Sequence, residues 1–224
     1  MAKNDFTAES ASNYEQKCLC VLVLDVSGSM MGEPINALNA GLKEFYEDIY
    51  NDDTKSQKIE ISILAFNDCV KTLQEPALVE NFTMPTLRAG GSTAMVDAVN
   101  EAIAKVESRK QWYKQTGQTY YRPWIILMTD GEPDTFQDVV GLSARIKDDT
   151  ANKKYQFIPI AVEGANMAVM QQIAGTIPPM QLKDARFSEF FQWLSCSVGT
   201  VVSSQEGETV SLSDPGEWLK NFEV

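Results

Sequence analysis

The sequence contains no histidine in its 224 residues. Histidine is the usual general base near neutral pH and the commonest nitrogen ligand of zinc. Its absence excludes Ser-His-Asp and Cys-His catalysis, the HExxH zinc site and the His/Cys site of zinc deaminases. Four familiar classes of enzyme site are therefore ruled out by composition alone.

Cysteine is scarce, and its spacing contains no CxxC pair. The four cysteines are Cys18, Cys20, Cys69 and Cys196, a pattern that fits neither a redox motif nor a zinc knuckle. Cys18 and Cys20 lie two residues apart in an apolar run, so on a β-strand their side chains share one face. We expect them to be small buried hydrophobic residues in a reducing compartment.

Long apolar runs and basic residues are also in short supply. The first 17 residues have no apolar stretch typical of a signal peptide, and no run of about 18 apolar residues occurs anywhere. The chain has 19 Lys and Arg against 31 Asp and Glu, a net charge of −12, which repels phosphate backbones and anionic membranes where no basic patch intervenes. We expect a cytoplasmic protein that binds neither nucleic acid nor membrane.

Two continuously apolar runs dominate the rest of the sequence. Residues 18–24, CLCVLVL, stop at Asp25, and residues 124–129, WIILMT, stop at Asp130. Such runs are typical of parallel strands that are buried on both faces. Further strands are predicted over 58–66, 69–74, 155–162 and 179–182, with 69–74 paired as an antiparallel edge strand after a short Asn67-Asp68 turn.

Helical periodicity fills the gaps between these strands. Helices are predicted from Pro34 to Asn51, from Thr93 to about Lys110, near 136–147, over 166–174, and through Phe187 to Val198. The alternation predicts a Rossmann-like doubly wound α/β fold: a mostly parallel six-stranded sheet with one antiparallel edge strand and helices on both faces. The predicted domain covers 17–202, with an N-terminal extension over 1–16, a C-terminal tail over 203–224, and an aromatic connection over 111–123 at the sheet end opposite Asp25.

Ligands of open α/β sheets bind beyond the carboxyl ends of the strands. The loop after the first strand offers the carboxylate of Asp25 and the hydroxyls of Ser27 and Ser29 at alternate positions, and Gly28 lets the backbone turn so that they converge. Ligand sets made only of oxygen suit Mg²⁺ or Mn²⁺ better than zinc or copper.

Three motifs of this chain resemble those of von Willebrand factor A domains. DVSGSM resembles the DxSxS loop of that family, GGSTAM its threonine loop and TDGEPD its aspartate loop. They occur in the family's order, and the resemblance covers roughly residues 17 to 200. It implies a metal-ion-dependent adhesion site with the direct ligands Ser27 and Ser29 and the direct or water-mediated ligands Thr93, Asp25 and Asp130.

Each of these residues also has a purely structural interpretation. The serines could form a turn, Thr93 could cap a helix and Asp130 could begin an ordinary loop. Ser92 is an alternative to Thr93, because the loop has two adjacent hydroxyls. Asp97 and Asp134 are expected near the metal, either as groups around its ligands or as solvated acidic residues.

The resemblance implies a binding module rather than an enzyme. In the family, a carboxylate of another protein fills the open coordination position of the metal, which for this chain is expected to be Mg²⁺ or Mn²⁺ and less favourably Ca²⁺. The chain also resembles the bacterial tellurite-resistance TerY-like group, stand-alone cytoplasmic domains of stress-response systems with kinase and phosphatase partners.

The rival hypothesis is a Mg²⁺-dependent phosphohydrolase that uses Asp25 as its nucleophile. The usual haloacid-dehalogenase pattern has a second aspartate two residues later, where this chain has Ser27. A nucleotide-binding Rossmann domain is weaker still, because neither GxGxxG nor GxxxxGK[ST] follows a predicted strand.

Overall fold

The computed structural model describes residues 13–130 and 132–204, together with 210 and 212. Within them, six strands form one sheet in the order β3-β2-β1-β4-β5-β6. All neighbouring strands are parallel except the antiparallel pair β2 and β3, so the predicted mostly parallel sheet with an antiparallel edge is confirmed. The strands are β1 (Cys18–Asp25), β2 (Ile59–Phe66), β3 (Val70–Leu78), β4 (Trp124–Thr129), β5 (Gln156–Ala161) and β6 (Met180–Gln181).

Helices cover both faces of the sheet, as predicted. The core on one face is built largely with α1 and α6, and the core on the other with α3, α4 and α5. No helix within the described ranges is long and apolar enough to cross a membrane. The helices are α1 (Glu33–Tyr50), α2 (Asp53–Lys58), α3 (Met95–Thr116), α4 (Val139–Ala151), α5 (Met167–Ile173) and α6 (Phe187–Ser203).

The central strand β1 is buried along its whole length. Its side chains alternate between the two cores, because successive residues of a strand point to opposite faces. A parallel strand covered by helices on both faces needs an uninterrupted apolar sequence, and this explains the run that precedes Asp25. The α1/α6 core receives Cys18, Cys20, Leu22 and Leu24, and the α3 core receives Leu19, Val21 and Val23.

Two predicted helix boundaries differ from the structure, and the edge strand predicted over 69–74 continues to Leu78. The helix expected to end near Lys110 continues to Thr116, so about half of the expected connection 111–123 is helical; Gly117, at φ 73°, ends it by donating its N–H to the carbonyl of Tyr113. The helix expected near 136 begins at Val139, because the Asp138 side chain caps it by accepting from the N–H of Gly141. The short helix α2 was not expected, and the predicted extension 1–16 and tail 203–224 lie mostly outside the described residues.

The aromatic segment lies at the sheet end opposite Asp25, as predicted, since Lys17 and Tyr120 bridge just before β1 and β4. Its side chains pack locally: Trp112 and Tyr113 are 3% and 0% exposed. They enclose a buried ion pair in which Arg109 donates from Nε and Nη2 to the Glu60 carboxylate, at 2.8 and 2.6 Å. Trp112 and Tyr113 are therefore buried packing residues and do not form a contact surface.

We predict that Arg109→Met lowers the free energy of unfolding by about 3–5 kcal/mol, because it leaves the buried Glu60 carboxylate without its cation. The double variant Glu60→Leu with Arg109→Met should recover much of that loss. Lys105→Met is the matched control on the same helix: it removes a pair with the half-exposed Glu75 and should cost about 1 kcal/mol or less. Urea unfolding measures all three, and equal losses for the two single variants would contradict this account.

Candidate metal centre

The two aspartates that end the apolar runs lie at the same edge of the sheet. The strands β1 and β4 are adjacent and parallel, with Leu24 opposite Met128, so Asp25 lies beside Thr129 and one residue from Asp130. The carboxylate of Asp25 is fully buried. It accepts a hydrogen bond from the Ser27 N–H at 2.8 Å and another from the Thr129 hydroxyl at 2.5 Å.

Hydroxyl oxygens connect the first loop to the third. The Ser27 and Ser29 hydroxyl oxygens are 3.0 Å apart, and the Ser29 hydroxyl donates to Asp130 Oδ1 at 2.8 Å. Ser27 is buried whereas Ser29 is exposed, so this row of oxygens runs from the sheet edge towards solvent. We call Asp25, Ser27, Ser29 and Asp130 the oxygen cluster.

Backbone hydrogen bonds hold the second loop against the first. Gly28 N–H donates to the Gly91 carbonyl at 3.0 Å, and Gly90 N–H donates to the Val26 carbonyl at 2.8 Å. This brings Thr93, which is 8% exposed, to the same edge. The exposed Ser92 is oriented differently, because its hydroxyl donates to Asp134 Oδ2 at 3.1 Å. The Ser92 hydroxyl is therefore engaged by the third loop.

Asp68 supports the second loop, a role that sequence reasoning missed. Its Oδ1 accepts from the Ser92 N–H at 2.7 Å, and that hydrogen bond lowers the pKa of the Asp68 carboxyl. Gly91 has φ 92°, and a Cβ built there would lie 2.6 Å from Asp68 Oδ2, so glycine is required. The sequence signal was the Asn67-Asp68 turn, which predicted only a hairpin.

The two further acidic candidates lie around the second and third loops. Asp134 N–H donates to the Thr93 carbonyl at 3.1 Å, which ties the third loop to the second. Asp97 Oδ2 instead accepts from the side chain of Gln137 at 3.0 Å. Both carboxylates therefore position loops, and no hydrogen bond joins either to the oxygen cluster within the described part of the chain.

The electrostatics of the cluster are unfavourable when it stands alone. Burial raises the pKa of Asp25, hydrogen bonds from Ser27 and Thr129 lower it, and the nearby Asp130 carboxylate raises it again. Burial likewise raises the pKa of Asp130, against a lowering hydrogen bond from Ser29. Among the described residues, no Lys or Arg forms an ion pair with either aspartate.

The donor set fits a hard divalent cation. It consists of carboxylate and hydroxyl oxygens, which Mg²⁺ and Mn²⁺ prefer and which zinc and copper do not. Nowhere in the described chain do three or more His, Cys, Asp or Glu side chains form a group that could hold a metal. A metal at this edge would therefore need the hydroxyls as well as the two carboxylates, and its charge would offset their mutual repulsion.

Comparison with known proteins gives one family and several similar folds. The family model of the von Willebrand factor type A domain matches residues 20–192. The ArnB paralog VWA2 from Sulfolobus acidocaldarius is 21% identical at TM-score 0.55, over 83% of this chain and 46% of that one. BatB from Bacteroides thetaiotaomicron is 19% identical at TM-score 0.54, over 84% of this chain and 100% of that one.

The pilus adhesin SpaC from Lactobacillus rhamnosus GG, in its open conformation, is 14% identical at TM-score 0.62 and aligns over 83% of this chain and 30% of that one. This chain thus spans less than half of the VWA2 and SpaC chains. At these identities the likeness shows the fold alone. The curated proteins contain no match.

We predict that Asp25→Asn stabilises the metal-free protein at neutral pH. Burial raises the pKa of Asp25 in the folded protein, because the charged carboxylate is less stable there than in water. Unfolding returns that charge to water, so at neutral pH the charge favours the unfolded state. The free energy of unfolding of wild type should fall as pH rises from the pKa of Asp25 in the unfolded chain to its higher pKa in the folded protein. Asp25→Asn has a neutral amide at this position and should not show this loss. In EDTA, the melting temperature of Asp25→Asn should lie a few degrees above that of wild type, since 1 kcal/mol of stability corresponds to about 2–4 °C for a domain of this size.

Magnesium should reverse the order of stability in that experiment. Mg²⁺ should raise the melting temperature of wild type and leave that of Asp25→Asn unchanged, if Asp25 is required for binding the ion. Asp134→Asn, which alters a carboxylate outside the oxygen cluster, is the matched control and should behave as wild type. A metal-free Asp25→Asn protein that melts well below wild type would contradict the electrostatic account.

Proposed function

The chain belongs to the von Willebrand factor type A domain family, whose model matches residues 20–192, and we propose that it is a protein-binding module that depends on a divalent metal. Domains of this family generally mediate protein interactions, often through a metal. The ligands proposed here are Asp25, Ser27, Ser29, Thr93 and Asp130, and the metal is Mg²⁺ or Mn²⁺, with Ca²⁺ less favourable.

One observation carries this proposal: three separate loops bring oxygen donors to one sheet edge and supply no positive charge there. The Ser29 hydroxyl lies within hydrogen-bond distance of both Ser27 and Asp130, and the Thr93 loop is bonded to the first loop through Gly28. Two carboxylates and neutral hydroxyls leave a divalent cation with room for one more hard ligand. A carboxylate from another protein supplies that ligand with the matching charge.

The proposed biological setting is a bacterial stress-response or tellurite-resistance system of the TerY-like kind. This setting rests on the overall resemblance of the sequence to that group. The partner is then a protein of the same system, for instance its kinase or phosphatase, in the cytoplasm. The acidic net charge of −12 favours neither nucleic acid nor an anionic membrane as the partner.

We propose binding rather than catalysis because of the state of Asp25. A nucleophilic aspartate must bring an oxygen in line with a bulky phosphate group, whereas Asp25 is 0% exposed and both of its oxygens accept hydrogen bonds. A remaining lone pair of such an oxygen can still serve a small cation or a water bound to it. Assays with generic phosphate esters, Mg²⁺ and Mn²⁺ should therefore give no turnover above background. Turnover that disappears in Asp25→Asn would instead establish the phosphohydrolase.

The metal site is tested by calorimetry with Mg²⁺ and Mn²⁺. Wild type should bind one ion weakly, because the hydroxyls contribute no charge, and Ser29→Ala and Thr93→Ala should weaken binding about tenfold or more, or about 1.4 kcal/mol. Ser92→Ala is the matched control, since its hydroxyl bonds to Asp134, and it should bind as wild type. If Ser92→Ala loses the metal and Thr93→Ala keeps it, Ser92 and not Thr93 is the ligand from the second loop.

The partner is tested by capture from native lysate with Mg²⁺ and again with EDTA, followed by mass spectrometry. Binding of the true partner should disappear in EDTA and in Ser29→Ala. Replacing the partner's coordinating Asp or Glu by Asn or Gln should lower affinity strongly, because a neutral amide loses most of the attraction to the cation. A partner that binds equally well in EDTA, to wild type and to both hydroxyl variants, would show that this site does not mediate its recognition.

A further inference from the structure

Two large apolar side chains stand exposed on the loops of the oxygen cluster. Met31 follows the first loop and is 64% exposed, and Phe136 lies in the third loop and is 81% exposed. Single exposed hydrophobic residues are ordinary on protein surfaces. Met31 and Phe136 differ from ordinary exposed residues because they lie on the first and third loops, and because hydrogen bonds fix the turn that carries Phe136.

The turn that carries Phe136 is bonded to its surroundings on several sides. Gln137 N–H donates to the Asp134 carbonyl at 3.0 Å. The Gln137 side chain accepts from the Val96 N–H at 2.9 Å and donates to Asp97 at 3.0 Å. These hydrogen bonds fix the turn against the start of α3, so the Phe136 side chain is kept exposed to solvent.

Met31 lies close in sequence to one proposed metal ligand, and Phe136 is linked to another through a backbone hydrogen bond. Met31 is two residues from Ser29, and Phe136 is two residues from Asp134, whose N–H bonds to the Thr93 carbonyl. Two residues span at most about 7 Å of chain. Met31 therefore adjoins the oxygen cluster through the first loop, and Phe136 adjoins the Thr93 loop through Asp134. We call these two positions the apolar rim.

We propose that the apolar rim binds large apolar side chains that neighbour the partner's metal-binding carboxylate. This inference rests on the proposed function and names its partner class. The occupant is a protein segment with one Asp or Glu next to residues such as Leu, Ile or Phe. The segment is otherwise neutral or basic, because a chain with net charge −12 repels further acids and only the metal attracts the first.

A random peptide library displayed on phage and selected on the full chain with Mg²⁺ tests the rim. Selected sequences should combine an acid with adjacent large apolar residues, and EDTA should abolish the selection. Phe136→Ser should weaken the best selected peptide about tenfold or more, the effect of burying one large apolar side chain, and Met31→Ser should weaken it as well. Both variants should bind Mg²⁺ as wild type does.

Tyr50→Ser is the matched control. Tyr50 is also aromatic and 54% exposed, but it ends α1, at the sheet end away from the cluster. Its replacement should leave peptide affinity unchanged. An equal loss in Tyr50→Ser and Phe136→Ser would overturn the proposal.

The remaining outcomes separate the rim from the metal site. Metal-dependent peptides with an acid but no apolar preference would overturn the rim and leave the proposed function standing, whereas selection that is indifferent to EDTA would overturn both. Sedimentation that shows a Mg²⁺-dependent dimer lost in Phe136→Ser would assign the rim to a second copy of this chain. The C-terminal sequence itself contains an acid next to an aromatic residue, Glu217 and Trp218. Selection that appears only after Glu217→Gln with Trp218→Ser would assign the rim to that sequence and overturn the proposal.

Discussion

The structure depends on one constraint: two neighbouring parallel strands each end in an aspartate at the same edge of the sheet. The chain leaves β1 through α1 to form β2 on one side, and it enters β4 from α3 on the other. This reversal opens a crevice beyond the carboxyl ends of the two strands. Asp25 and Asp130 lie at that crevice, and the hydrogen-bonded first, second and third loops are arranged around them.

The two ends of the sheet give a buried carboxylate different partners, a cation at one end and neutral hydrogen-bond donors at the other. At one end Glu60 is paired permanently with the guanidinium of Arg109, under the rings of Trp112 and Tyr113. At the other end, the hydrogen bonds that Asp25 accepts within the described residues come from hydroxyl and amide donors, which cannot cancel its charge. The charge of Glu60 is balanced by Arg109 without any added ion, and this pair contributes to the stability of the fold. In the proposed function a divalent cation supplies the charge that Asp25 and Asp130 lack, and a site of this kind is suited to conditional binding.

Much of this could be predicted from the sequence, for identifiable reasons. A strand buried on both faces must be continuously apolar, so β1 and β4 and the aspartates that end them were visible as runs. The Arg109–Glu60 pair was not, because it joins residues distant in sequence. The continuation of α3 to Thr116 was missed although Val106, Arg109 and Tyr113 keep helical spacing and Gly117 is a typical helix end. The supporting bonds from Thr129 and Asp68 depend on side-chain directions that only the folded chain determines.

The central claim is that the oxygen cluster, together with Thr93, holds a divalent cation. Anomalous diffraction from crystals grown with Mn²⁺ tests it most directly, because the signal locates the ion without assuming its ligands. The account predicts one strong anomalous peak at the carboxyl ends of β1 and β4, within coordinating distance of Ser27 and Ser29 and near Thr93, Asp25 and Asp130. A well-ordered crystal with Mn²⁺ bound only elsewhere, or with no peak at this edge, would contradict it.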